Sequence, residues 1–281
     1  MSIKLGCFAV LPDKNNPGQF VDLERFARFA YELRLDVVDF HLNKAFLSKE
    51  RDYLRRVKIL CLKYGLPIGY LGSGGGFVGT EEELRERVDR AKADVEIAVF
   101  LGAPMIRLFG GHVPEGVADR EPLWPPLIRC FQEVCDYAAD KGVIVGLQNH
   151  DNRNMAATGD DVIRILRETD RENFTLILDT GQWLGSIGAS PKGEFDPNVD
   201  IYGYIEQTAP YASYVRAKIY KVDSGREEWI NYERVIKIMK GANFNGNMSI
   251  TYEGQGLNQC DDAESITLAA KHLRELLEAH G

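Results

Sequence analysis

No stretch of this 281-residue chain stays apolar for the roughly 18 residues that a membrane helix needs, so no membrane span is expected. The opening MSIKLGCFAV carries one lysine and runs straight into a strand-like pattern, which gives no sign of a signal peptide. Positive charge is in short supply. Lys and Arg number 34 against 42 Asp and Glu, a formal charge of −8, and a nucleic-acid partner would want a basic face. A local basic pocket stays open. Cysteine is sparse and odd in number: Cys7, Cys61, Cys130, Cys135 and Cys260 show no zinc spacing, and Cys130 and Cys135 form no CxxC. Reduced thiols of a cytoplasmic protein are the expectation. There is no low-complexity run, no linker and no shift of composition, which leaves one domain over residues 1–281.

What is present is alternation. Val143–His150, VIVGLQNH, is an apolar run that turns polar within three residues. This is how a buried parallel strand delivers polar groups to the C-terminal edge of a sheet, where ligands of α/β proteins bind. The same pattern recurs at LILDTGQW (176–183) and MIRLFGGH (105–112). Strand-like runs are read at Ile3–Val10, Val37–His41, Ile68–Leu71, Met105–Phe109, Val143–Leu147, Thr175–Asp179, Tyr214–Tyr220 and Met248–Tyr252. Helical periodicity lies between them, beginning with Phe20–Leu35 and ending with Ala263–His280. Thr80-Glu81-Glu82-Glu83 is a capping box that opens one of these helices. Eight strand–helix units of this length predict an α/β fold, a single (β/α)8 TIM barrel, with an open doubly wound sheet as runner-up. Gly72–Gly76 lacks the Lys-Ser/Thr tail of a phosphate loop and reads as a flexible rim. The polar stretch Gly181–Asp200 reads as a loop able to close over a ligand.

In a barrel the chemistry gathers at the strand ends. That places Asp39 and His41, Arg107 and His112, Gln148 and His150, Asp179 and Gln182, Arg216 and Lys218, and Thr251 and Glu253 on one rim. Residues two apart on a strand share a face, so Gln148/His150, Arg216/Lys218 and Thr251/Glu253 each point inward together. Proton transfer would fall to His150, Lys218 and Glu253, with Asp179 as a base or as the partner of Arg216. Gln148, Arg216, Arg107, Gln182, His41 and Trp183 would contact substrate. The two arginines could clamp an anionic group and the indole could stack on a sugar face, with Tyr220 and Trp229 as further stacking surfaces. Each has an ordinary alternative: a hydrogen-bonded rim histidine, a capping aspartate, a barrel salt bridge, a core tryptophan.

These motifs carry a resemblance. LQNH at 147–150, LDTGQW at 178–183, YVRAK at 214–218 and WINYERVIKIMKGANFNGNMSITYEG at 229–254 resemble the xylose isomerase-like barrels. That sugar phosphate isomerase/epimerase group also contains the metal-dependent apurinic-site endonucleases, and the resemblance covers nearly the whole chain. It implies a divalent ion held by Glu, Asp, His and Glu on strands five to eight. Carried over position by position, those ligands are Gln148, Asp179, Arg216 and Thr251, and a histidine often found three residues after the Asp is Gln182. One carboxylate, an amide, a hydroxyl and a guanidinium make a poor divalent site. No cofactor is therefore expected. Mn, Mg or Zn would bind only if Asp179 recruited other ligands, such as His150 and Glu253. The resemblance implies a sugar or sugar-derivative isomerase or epimerase, or a lyase, taking a small-molecule carbohydrate. The alternative is a non-catalytic descendant that binds a sugar or a partner protein. A homo-oligomer is compatible with either.

Overall fold

In the structure, a computed structural model, residues 3–11, 21–151, 153–189 and 192–280 are described. Phe20, expected to open the first helix, lies outside them, as do two residues of the 181–200 loop. The strands are β1 (Lys4–Phe8), β2 (Val37–His41), β3 (Ile68–Gly76), β4 (Met105–Phe109), β5 (Ile144–Gln148), β6 (Phe174–Asp179), β7 (Ala212–Ile219) and β8 (Asn247–Tyr252). They alternate with α1 (Leu23–Glu32), α2 (Arg51–Tyr64), α3 (Glu81–Leu101), α4 (Trp124–Ala139), α5 (Gly159–Thr169), α6 (Ile201–Thr208), α7 (Tyr232–Gly241) and α8 (Asp262–Ala279). Every neighbouring strand pair is parallel, and β8 closes on β1 through Leu5↔Met248 and Cys7↔Ile250. The closed TIM barrel rules out the doubly wound sheet.

Local signals set the helix ends. Thr80 and Glu83 form the expected capping box at the head of α3, with the Thr80 N–H donating to Glu83 Oε2 at 2.8 Å. Gly65 and Gly102 end α2 and α3 in the left-handed region, at φ +65° and +78°. The five cysteines are free thiols, four of them buried. Among the described residues no helix is long and apolar enough to cross a membrane.

One local expectation is corrected. The Gly72–Gly76 run is no flexible rim; it prolongs β3. At Gly72 a Cβ would stand 2.7 Å from an Arg107 guanidinium nitrogen, and at Gly76 it would stand 2.3 Å from the Gly111 Cα. The missing side chains let β4 and its arginine lie against the strand. The polar composition signalled a loop, but close approach of a neighbour won.

Phe8, Tyr70, Met105, Ile177 and Tyr214 come from β1, β3, β4, β6 and β7 and pack together, which is possible only inside the barrel. Tyr70 meets Tyr214 edge-on with centroids 5.2 Å apart. This cluster forms the floor on which the polar rim is built.

Candidate functional site

The lowest polar layer is Asp39. Its carboxylate accepts hydrogen bonds from the Tyr70 N–H at 3.2 Å, from the Tyr214 hydroxyl at 2.7 Å and from the Ser249 hydroxyl. Burial pushes its pKa up to about 7 even though Ser249, Tyr214 and Arg216 all favour the anion.

Above it lies a chain of paired charges. Arg216 on β7 donates through Nε to Asp179 Oδ2 at 3.0 Å and through Nη1 to the Tyr70 hydroxyl, with its guanidinium 4.8 Å from the Phe8 ring centroid. Burial alone would lower its pKa, but Tyr70 and Asp179 outweigh that and hold it above the ordinary arginine value. Asp179 Oδ2 also accepts from Gln148 Nε2 at 3.0 Å and has the Lys218 ammonium 3.6 Å away, while Oδ1 accepts from the Gly181 N–H at 3.1 Å. Lys218 Nζ then donates to Glu253 Oε1. Burial works to raise the Glu253 carboxyl, yet Lys218 and then Arg216 hold it at about 2.

The β4 side is different. Arg107, 2% exposed, donates through Nη1 to Gln148 Oε1 at 2.9 Å and lies 4.2 Å from the Phe109 ring centroid. Its Nε has no acceptor among the described residues. Burial and the charge of Arg216 bring its pKa down to about 9, which still leaves it charged at neutral pH. His41 accepts the Asn43 N–H on Nδ1 at 3.1 Å, so Nε2 carries the proton. Burial, then Arg107 and Lys44, push the His41 pKa down to about 3.

The sequence expectations divide accordingly. Asp179, Arg216, Lys218, Glu253, Gln148 and Arg107 come together in one chain of hydrogen bonds and ion pairs. His150 does not join it. Its Nδ1 pairs with Asp151 Oδ1 at 2.7 Å, and its ring meets Phe109 and His112 edge-on at 4.9 and 5.5 Å. Gln182 is turned into the loop, donating to Tyr220 OH at 3.3 Å and to Gly188 O at 3.4 Å. Trp183 is fully enclosed against Tyr204, with centroids 5.6 Å apart, and has no ring face left for a sugar. Tyr220 and Trp229 pack on each other at 5.3 Å. Thr251 turns its hydroxyl to Ser249 O at 3.5 Å, while Glu253 lines a cavity of about 370 Å³ with Phe8, Val10, Lys44 and Thr251. Lys192 of the 181–200 loop donates through its ammonium to the Glu253 carbonyl at 2.9 Å.

The sequence profile of the family described as xylose isomerase-like TIM barrel matches residues 27–276. The chain belongs to that family. No curated protein is significantly similar to it in sequence. Among solved xylose isomerase-like barrels and their relatives, a xylose isomerase domain protein from Planctomyces limnophilus is 17% identical, with TM-score 0.73 over 99% of this chain and 98% of that one. A D-allulose 3-epimerase from Methylomonas sp. is 16% identical, with TM-score 0.72 over 100% and 98%. A xylose isomerase-like TIM barrel protein from Mycobacterium smegmatis, solved in complex with magnesium, is 14% identical, with TM-score 0.72 over 99% and 97%. At these identities the likeness is one of fold.

A divalent ion of the kind bound by that last relative does not fit the residues here. Asp179 Oδ2 already accepts from a guanidinium and an amide and faces an ammonium, so a cation would meet fixed positive charge at its seat. No group of three His, Cys, Asp or Glu side chains among the described residues is arranged to hold a metal.

Two supporting residues escaped the sequence reading. Asn149 Nδ2 donates to the carbonyls of Asp179 and Gln182 at 2.9 and 2.8 Å, and its Oδ1 accepts from the Asp179 N–H at 2.7 Å. Asn149 is the first residue past the end of β5, and its amide reaches across to the β6 backbone and fixes Asp179. Tyr70 sits in an apolar run beside glycines, and only the barrel closure brings β7 to its hydroxyl.

Proposed function

We propose that this barrel is an isomerase- or epimerase-type enzyme acting on a sugar or sugar derivative at its C-terminal mouth, without a divalent ion of the family type. The observation that carries the reading is Lys218, whose ammonium is held between Glu253 at the cavity wall and Asp179 behind it. Such a cation, fixed in a low-dielectric site, stabilises the oxyanion that forms when a carbon beside a carbonyl loses its proton. Glu253, ionised down to about pH 2, holds the Lys218 side chain in place. His150 takes the proton: Asp151 engages Nδ1–H, which leaves Nε2 as the acceptor. Gln148, Arg107 and His41 Nε2–H offer hydrogen bonds to substrate oxygens.

The test is proton exchange. Aldoses, ketoses, sugar acids and sugar phosphates are incubated with the protein in D2O and excess chelator, and loss of a carbon-bound proton is followed by NMR. At least one is expected to exchange, and Lys218→Met should slow exchange by about 10²–10³-fold, the scale of losing one oxyanion-stabilising group. Exchange that stops with chelator and returns with Mn overturns the metal-free part of the reading. The neutralisation of each β6–β8 charge by a partner favours a second reading, a sugar-binding descendant without turnover. Tight sugar binding with no exchange would establish it.

A further inference from the structure

The charges of the chain that links β4 to β8 across the rim do not balance. Among the described residues, the chain of hydrogen bonds and ion pairs on the rim contains three cations, Arg107, Arg216 and Lys218, and two carboxylates, Asp179 and Glu253. Arg216 and Lys218 each have a carboxylate within 4.0 Å; Arg107 has none among the described residues. Among the described residues its hydrogen-bonded link to a carboxylate runs through the amide of Gln148, and its Nε has no acceptor. Asp39, one layer down, is already engaged by Tyr214, Ser249 and the Tyr70 N–H.

A guanidinium removed from water without a counter-charge is costly, and it is retained where something negative arrives to meet it. The surroundings agree in sign. His41 on β2, across β3 from Arg107, is kept neutral by burial and then by the charge of Arg107, and presents an N–H rather than a lone pair. Gly72, in register with Arg107, supplies no side chain to compete for the guanidinium.

We infer that the substrate taken at this mouth carries a single negative charge, a carboxylate, which is seated on Arg107. The inference rests on the proposed carbohydrate site and adds its class: a sugar acid rather than a neutral sugar or a sugar phosphate. One uncompensated positive charge matches a monoanion. A phosphate carries about −1.5 to −2 near neutral pH and would leave the pocket over-compensated. The planar carboxylate also matches the guanidinium fork.

The experiment is titration calorimetry on the full chain with hexuronates and pentonates, the corresponding neutral sugars, and hexose 6-phosphates. At least one acid should bind roughly tenfold or more tightly than its neutral counterpart, the scale of one charge-assisted hydrogen bond. Arg107→Met should erase that preference and Arg107→Lys should keep part of it. If the methionine variant does not fold, the lysine variant and the salt dependence of the wild-type preference carry the test. A panel in which no acid is preferred overturns the inference, as does a preference that survives Arg107→Met or one that is stronger for phosphates. Acid binding without proton exchange would defeat the enzymatic reading and leave this one standing. Exchange of neutral sugars with no acid bound would do the reverse.

Discussion

The two halves of the barrel mouth handle buried charge in opposite ways. On the β6–β8 side, Asp179, Arg216, Lys218 and Glu253 neutralise one another within hydrogen-bonding or ion-pair distance. On the β4–β5 side, Arg107 stands with an amide, an aromatic face and a glycine for company. The first half is self-sufficient and holds the barrel end together. The second is incomplete until something anionic arrives. A rim of ionisable residues is therefore one part scaffold and one part binding surface.

The largest effect should come from breaking the paired half. Asp179→Ala leaves Arg216 buried without its carboxylate and should cost about 3–5 kcal/mol in urea unfolding. Arg107→Met removes a charge that was never paired and should leave ligand-free stability within about 1 kcal/mol of wild type, or above it. Equal losses for the two variants would erase the contrast.

A smaller effect separates the carboxylates by pH. Glu253 lies below its ordinary value, at about 2 instead of 4.5, so its contribution is present above pH 4.5 and is lost as pH falls through 2. Asp39 lies above its ordinary value, at about 7 instead of 3.8, so its contribution is present below pH 3.8 and is lost as pH rises through 7. Glu253→Gln should flatten the acid limb of the stability profile, and Asp39→Asn should make stability fall less between pH 4 and 8. Denaturant midpoints across pH would show both, and a Glu253→Gln profile parallel to wild type on the acid side would contradict the first. The smallest effect is spectroscopic. With its pKa near 3, His41 should show no titration of its ring protons by NMR between pH 5 and 8. A midpoint within that range would mean that burial and the Arg107 charge together do not hold the ring neutral there.

The barrel was legible because its signals are local. Apolar runs closing in polar residues and the capping box at Thr80 need only a few neighbours in sequence. The polar cluster was legible by residue name, since strand ends collect on one rim whatever their partners. What failed was direction. Trp183 and Gln182 directly follow a strand end, yet the chain turns both into the loop that starts there. His150 shares the Gln148 face by alternation, but the strand has ended at Gln148 and the alternation no longer applies.

The sequence alone determined eight alternating units and the inventory of charges on their ends, because periodicity and residue type are properties of short segments. Closure of the sheet decided the rest: that Arg216 meets Asp179 and Tyr70, that Lys218 meets Glu253, and that Arg107, among the described residues, meets the amide of Gln148 and no carboxylate within 4.0 Å. Those outcomes depend on distances of a few ångströms between strands far apart in the chain. Electrostatic energy in a dry interior turns on such distances.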